Sequence, residues 1–543
     1  MRVNKITKIL FLAAIAHAVS IMQGSANNIS VANVTPTAVS TNGGFMYVQV
    51  DLAWQNSWRV SVAPSNWDAA WVFVKYRKAD GIWRHAHLST NNLDHIVPPG
   101  ATVSVGTTSN LAVGAFIYRS ANGVGNVNWP AVQLRWNYAA DGVLASDLVT
   151  VDVSALEMVY VPTGSFYVGD GSSPYSLQNG INSQPYFVNG PGPITIGPTP
   201  GNIWLAPHAV SIVDLSQYGP GQNYHFQMTN DMLDPGLAGA SVAIPNGYNA
   251  FYCMKYSCTG DELGNFLQKT GRGAQPVYDT GTGTYMPVVS SENEVLTYLN
   301  WSGLRPMSEL EYEKACRGSV YPVPNEYCWG SALIGGNQYA ILQAGAASES
   351  ISSGYSINAG NAAGLNGATN KYGPLRAGIF SLSAYSGTTP ARIQSGSTYY
   401  GIQDMTGSVG EAVYPVVQRT PCYVLLQYVG GSGNYVFVST LITNTFVYSG
   451  NLGDGTAVVN PAWNPGLVSR GLAGRTSFYP LTVSDRSPEA QYNAGNTTYT
   501  VLKVPGGYTN IYVQGVLYTN IYQADVVKLT SGVFGVRGVR PAP

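Results

Sequence analysis

Charge is what this sequence has least of. Only 10% of its 543 residues are charged, the formal net charge is −1, and no basic or acidic run occurs. A nucleic-acid surface is excluded on that ground, because phosphate binding needs clustered Lys and Arg. Histidine is scarce too, with six in all: His17, His85, His87, His95, His208 and His225. His85 and His87 are two apart and so share a strand face that could hold a metal, but no third ligand stands near them. Beyond Met22 no apolar run is long enough to span a bilayer, so no membrane span is expected. Disorder is excluded as well, since 45% of the chain is hydrophobic.

Aromatic and turn residues are plentiful. There are 37 Tyr, 11 Trp, 62 Gly and 32 Pro, which points to many short strands joined by turns. The length predicts two or three domains. A surface poor in charge but rich in Tyr, Thr and Asn suits an extracellular binding or packing role. At the start of the chain Arg2, Lys5 and Lys8 precede an apolar run from Ile9 to Met22, then Gly24-Ser25-Ala26. That pattern predicts a secretory signal over residues 1–26, cleaved after Ala26. The run is short for a membrane anchor, and no cysteine stands at the cleavage point for a lipoprotein anchor. The expected location is secreted or cell-surface.

Residues 27–153 read as an Ig-like β-sandwich. Phe45 to Trp54, Ala69 to Arg77, Ala115 to Arg119 and Val132 to Tyr138 are β-branched and aromatic runs between Gly, Pro and Asn turns. Trp54, Trp58, Trp67, Trp71 and Trp83 serve either as core anchors, the weightier reading, or as a ligand-stacking platform. Asp152 to Met158 is the junction. From Asp170 to about Asn246 the chain is Gly-, Pro-, Ser- and Asn-rich and reads as long surface loops. Phe251 to Tyr256 is a strand. Thr259 with Glu262, and Ser308 with Glu311, are capping boxes that start helices near 260–270 and 308–317. In the second helix Tyr312, Ala315 and Cys316 share the buried face.

The words around that second helix resemble a known family. Gly303 to Gly318 (GLRPMSELEYEKACRG) is similar to the GLRLPTEAEWEKAARG segment of the formylglycine-generating-enzyme, or sulfatase-modifying-factor, family. Met158 to Gly169 resembles its opening strand, Asn249 to Gly271 its strand and first helix, Tyr399 to Glu411 its GLYDMSGNVWEW segment, and Gly535 to Arg540 its terminal strand. The resemblance implies a C-type-lectin-type fold over residues 154–543, with few short helices, long loops and an insertion at about 170–246. The whole chain is then an α+β, β-rich protein: a β-sandwich followed by that domain.

The family's chemistry is a separate matter. The resemblance implies copper held by two thiolates in the C-terminal third, yet no cysteine follows Arg470-Gly471-Leu472-Ala473. A related branch binds iron through an H-x-x-x-H-x-E motif, and the histidines here lack that spacing. The resemblance also implies calcium near Ser408 and Glu411, with Ser408 in place of an Asn and Gly410 in place of a Trp. The alternative for Glu411 is an ion pair with Arg537. In an exported chain the cysteines are expected as disulfides, with Cys258–Cys328 and Cys253–Cys316 as candidate pairs and Cys422 left over. Tyr492, Tyr499, Tyr508, Tyr512, Tyr518 and Tyr522 fall in the region that shapes the family's ligand face, where they form either a contact surface or one side of a hairpin near Ile511 to Tyr522. The expected function is a non-catalytic surface protein that binds protein or glycan, or assembles with itself. A metal-dependent oxidase and a carbohydrate-binding protein are the alternatives.

Overall fold

The computed structural model describes residues 29–543 except 171–176, 206–211, 215–223, 229–238, 240, 273–291, 325, 333–340, 344–345, 347, 352–375, 382–390, 407–409, 415, 417, 420–422, 430–433, 441–444, 447, 464–471, 474–509, 514–515 and 520–533. The molecule is β-rich with few helices. Its first part holds β1 (Ser30–Ser40), β2 (Phe45–Arg59), β3 (Asp68–Arg77), β4 (Trp83–His85), β5 (Ala101–Thr108), β6 (Leu111–Arg119), β7 (Gly123–Trp136) and β8 (Thr150–Val161). The four strand runs read from the sequence lie in β2, β3, β6 and β7.

Strands β1, β2 and β7 make one antiparallel sheet, while β5, β6, β3 and β8 open a second sheet that does not stop there. The two sheets close on a common core of Val48, Val50 and Leu52 from β2, Val72 and Val74 from β3, Ile117, and Leu134 and Trp136 from β7. Strand β3 is buried on both faces, from Asp68 to Tyr76. Ala70, Val72 and Val74 face that core, whereas Trp71 and Phe73 point the other way into a second one. A continuous apolar run such as AAWVFV suits a strand covered on both sides.

The rest of the chain supplies the second cover. It carries β9 (Phe166–Val168), the short strands β10–β16 between Leu177 and Val242, β17 (Phe251–Met254), α1 (Gly260–Thr270), α2 (Glu292–Trp301), β18 (Arg305–Ser308) and α3 (Glu309–Arg317). Then come β19 (Ile341–Leu342), β20 (Ser350–Ile351), α4 (Ala391–Ser395), β21 (Gly410–Tyr414), β22–β25 between Gln418 and Phe446, β26 (Leu472–Ala473), β27 (Asn510–Val513), β28 (Val516–Thr519), β29 (Phe534–Gly535) and β30 (Gly538–Pro541). The long sheet continues β8–β17–β30–β18–β21–β26. β8 thus pairs with β3 on one edge and β17 on the other, running unbroken through residues 153 and 154.

One face of this sheet packs on α1 and α2, through Leu263, Phe266, Val295, Leu296 and Leu299 against Trp71, Phe73, Leu156 and Met158. The opposite face has two covers side by side. The β1–β2–β7 sheet covers one end, and α3 covers the other through Tyr312, Ala315 and Cys316 against Val159, Phe251, Met307 and Val539.

Both capping boxes form as expected. Thr259 and Glu262 cap α1, and Ser308 and Glu311 cap α3. Helix α2 is additional. From Val295 to Trp301 it is buried all round, so it lacks the one-sided apolar stripe that marks a helix in sequence. The expectation of surface loops at 170–246 needs correction. Among the described residues Leu177, Val188, Ile194, Ile196, Ile203 and Trp204 are buried in the same core as α1 and α2.

Helix α3 is buried along its whole length although it carries five charged residues. Each is matched to a partner. Glu311 accepts two bonds from Arg305 (2.8 and 2.6 Å) and one from the Ser308 amide (3.0 Å). Arg317 pairs with Glu313 at 2.9 Å and with Glu326, and donates to the Tyr167 carbonyl at 2.7 Å. Lys314 holds the Gly247 and Tyr248 carbonyls, and Glu309 accepts from the Val416 amide at 3.1 Å. Burial pushes the Glu313 carboxyl up to about 7 and pulls the Lys314 ammonium down to about 7.

Candidate functional site: a cleft at the seam of the two covers

Where the two covers meet, the apolar layer on the sheet is interrupted by three charges. The register opposes Ala70 to Glu157 and Asp68 to Val159, which places Asp68 and Glu157 on the face toward the covers. Lys255, just past β17, donates to the Glu157 carboxylate at 2.7 Å. Asp68 accepts from Trp54 Nε1 (2.8 Å), Ser57 Oγ (2.8 Å) and the Trp58 amide (3.0 Å). Burial first, then the charge of Glu157, push Asp68 up to about 7, against the pull of Lys255 and these donors. Burial pulls the Lys255 ammonium down, but the neighbouring carboxyls, Glu157 foremost, outweigh it and hold it above its ordinary value.

Above this cluster lies a cleft of about 450 Å³. From the β1–β2–β7 cover it takes Asn56, Trp58, Val60, Pro64 and Asn66. The α3 side contributes Ser381, Tyr399, Tyr400, Gly401 and Gln403, and Lys255 with Tyr256 completes the lining. The volume falls in the usual range for small-molecule sites, roughly 300–1,000 Å³.

Local structure fixes each wall. An irregular register between Trp54 and Ser57 lets β2 bend, with Asn56 in the left-handed region at φ 55°. Trp58 then stands half-buried with the Lys255 ammonium 4.6 Å from its ring centre. Asn66 donates to the Tyr400 carbonyl at 2.7 Å and ties the two walls together. Gly401, at φ 86°, brings its backbone close enough to Trp58 that a Cβ there would touch the indole at 3.4 Å. Gly318, directly after α3, lies under the Tyr399 ring, so a Cβ there would come within 2.2 Å of it. Burial raises the phenols of Tyr256 and Tyr400 above their ordinary range, so both stay neutral donors.

Gln403 is held on three sides. Its amide donates to the Lys255 carbonyl (2.9 Å), its Nε2 to Ser397 (2.7 Å), and its own carbonyl accepts from Arg537 Nη2 (2.8 Å). Its side-chain Oε1 is buried without a hydrogen-bond partner.

Arg537 decides the matter of Glu411. Its Nε donates to Glu411 Oε1 at 2.5 Å, and both side chains are buried. Of the two alternatives for Glu411, the ion pair with Arg537 is formed. A guanidinium already neutralises the carboxylate and leaves only Oε2 unpartnered, which suits a divalent cation poorly. Ser408 lies outside the described residues.

The disulfide expectation is corrected. Cys253, Cys258, Cys316 and Cys328 are buried free thiols. Cys258 packs in the core with α1 and α2, while Cys328 lies in the other core with Cys253 and Cys316, which separates the first candidate pair. Burial pushes Cys253 and Cys328 up to about 12 and the other two well above the ordinary thiol value, so all four are neutral thiols. Cys422 lies outside the described residues.

His85 and His87 are engaged separately, His85 with Lys75 (2.9 Å) and the Val113 carbonyl (2.7 Å), His87 with Asp141 (2.5 Å). Among the described residues no group of three or more His, Cys, Asp or Glu is placed to hold a metal. Of the tryptophans, Trp54 and Trp71 are core, Trp67 stacks on Tyr160 at 3.8 Å, and Trp58 alone of the five lines the cleft. Tyr512 and Tyr518 fall on the β27–β28 hairpin, where Tyr512 opposes Leu517 and Tyr518 opposes Ile511. Tyr492, Tyr499, Tyr508 and Tyr522 lie outside the described residues.

Asp68, Glu157, Lys255 and Gln403 were not singled out from the sequence. The available signal was a charge inside an apolar strand run, as in SALEMVYV and FYCMKY. No helix among the described residues is long and apolar enough to cross a membrane. Comparison with protein-family models, with curated proteins and with solved structures finds no match for this chain.

Proposed function

We propose that this chain is an exported, non-catalytic binding protein whose second part has the formylglycine-generating-enzyme-like fold, and that its ligand lodges in the seam cleft. The observation that carries the reading is the cleft itself: rings and neutral polar groups from both covers converge there over a buried charge cluster. Export rests on the N-terminal pattern and the family reading on the five motifs in order. The oxidase alternative is set aside on the sequence, where no cysteine follows Arg470-Gly471-Leu472-Ala473. The test is a thermal-shift screen of the full mature chain against neutral oligosaccharides, amino acids, nucleosides, short peptides and phosphorylated compounds. At least one class should stabilise the wild type and not Trp58→Leu. If no class separates the two proteins, the cleft is not a ligand site. Mass measurement of the exported protein should give an N-terminus at Asn27, and an N-terminus at Met1 would count against export.

Self-assembly is a second reading, favoured by a different place. Phe187 and Tyr321 are 44% and 54% exposed and flank Tyr167 at 4.8 and 4.9 Å, with Val320 and Val323 also exposed. Light scattering on the wild type and Tyr321→Ser tests it. Monomers in both would remove it.

A further inference from the structure

From the chemistry of its lining we infer that the seam cleft takes a neutral saccharide; this rests on the reading of the cleft as a ligand site. The charge balance comes first. Lys255 is the one charged residue among the described residues lining the cleft, and its ammonium is already shared between the Glu157 carboxylate and the Trp58 ring. An anionic ligand would find no free cation in that lining. A cationic one would find no carboxylate there, because Asp68 and Glu157 lie behind it. Buried charges already matched in this way favour an uncharged guest, since any new charge would be desolvated without a partner.

The neutral groups say what kind of guest. Amides of Asn56, Asn66 and Gln403 and the hydroxyl of Ser381 are the donors and acceptors that a polyhydroxylated ring uses. Gln403 Oε1 has no partner of its own. Beside them stand the faces and edges of Trp58, Tyr399 and Tyr400, the last two edge to face at 5.0 Å. A sugar ring presents both surfaces at once, C–H bonds on one side and hydroxyls around the rim. A hydrocarbon would leave Gln403 Oε1 without a partner, and a nucleotide would need a cation for its phosphate. The rigid walls, tied by Asn66 to the Tyr400 carbonyl, reduce the ordering cost of binding.

The experiment is calorimetric titration of the full mature chain with three probe sets: neutral oligosaccharides of gluco, galacto, manno and N-acetylated series, sulfated or uronic-acid glycans, and nucleosides. Wild type, Trp58→Leu and Asn56→Gly are compared at low and high salt. Glycine at 56 removes the amide without straining the positive φ, so this variant carries the test if Trp58→Leu does not fold. The expected result is binding of a neutral oligosaccharide, unchanged by salt, at least 10-fold weaker in Trp58→Leu and several-fold weaker in Asn56→Gly. Binding only of charged glycans or of nucleosides, still dependent on Trp58, would overturn the ligand class and leave the cleft standing. No binding by any of these probes would overturn the ligand class and leave the cleft to the broader screen, whereas saccharide binding undiminished in both variants would overturn both.

Discussion

The two covers on one face of the long sheet solve the same packing problem with opposite chemistry. The β1–β2–β7 cover is apolar where it touches the sheet, with Val48, Val50, Leu52, Leu134 and Trp136 against Val72, Val74 and Ile117. The α3 cover is threaded with ions: Arg305–Glu311, Arg317–Glu313, Arg317–Glu326 and Arg537–Glu411 are all buried. An apolar cover is stabilised by area, at roughly 25 cal/mol per Å², and tolerates changes of shape that keep volume. An ionic cover gains little net stability from each pair, but every partner fixes the place of a loop. Gln403, whose carbonyl Arg537 holds, is a cleft wall. The ionic cover positions, and the apolar one mainly stabilises.

The contrast breaks most visibly at Arg537. Arg537→Ala leaves Glu411 buried without its counter-ion and the Met254 and Gln403 carbonyls without their donor, an expected loss of about 3–5 kcal/mol in denaturant unfolding. Even Arg537→Lys should lose much of this, since one ammonium cannot reproduce bonds from Nε, Nη1 and Nη2. Leu134→Met in the other cover should cost under about 1.5 kcal/mol. Equal losses from the two conservative changes would mean that the covers do not differ as described.

A second difference is read through pH. The seam carboxyl Asp68 is raised from its ordinary value to about 7, by burial and then by Glu157. An unfolded Asp68 releases its proton near pH 4, so between pH 4 and 7 the folded state binds more protons than the unfolded one. The stabilisation is fully present below about pH 4 and is lost as pH rises through about 7, by up to ~4 kcal/mol if the whole shift is realised. Unfolding curves from pH 4.5 to 8.5 should show this decline, and Asp68→Asn should flatten its share. If Asp68→Asn kept the wild-type slope, the decline would belong to other raised carboxyls such as Glu313.

The apolar cover was the more legible in sequence. Runs such as FMYVQVDLAW alternate with the pleat, so strand, face and turn can be read locally. The two capped helices were legible for the same reason, because Thr259–Glu262 and Ser308–Glu311 are contacts three residues apart. The cleft was not. Asp68, Glu157 and Lys255 meet only through strand register across β3, β8 and β17, and nothing local marks that meeting. The double burial of β3 was hidden because its second cover comes more than a hundred residues later. The Glu411–Arg537 pair is equally non-local, since it depends on β21 lying beside β29, with Arg537 two residues beyond β29.

A smaller effect links α3 to the cleft. Gly318→Ala places a methyl within 2.2 Å of the Tyr399 ring at a φ of 71° that alanine avoids. The expected cost is about 1–3 kcal/mol, with Tyr399 displaced from the cleft wall. Thermal unfolding gives the first quantity, and the loss of any Trp58-dependent ligand shift gives the second.

The smallest expected effect compares one motif in two settings. In both capping boxes a hydroxyl accepts from the amide three residues on while the carboxylate returns to the cap amide. Removing such a cap costs about 1 kcal/mol, within a range of roughly 0.5–2. Ser308 does more than cap: its hydroxyl also donates to the Pro245 carbonyl at 2.5 Å, and the Glu311 it orients carries Arg305. Thr259 hands its hydroxyl only to its own Glu262, at 3.0 Å. Ser308→Ala should therefore fall near the top of the range and Thr259→Ala near its middle. If the two cost the same, the ion network around α3 does not depend on its cap, and the helix is held in place by Arg305, Arg317 and Lys314 alone.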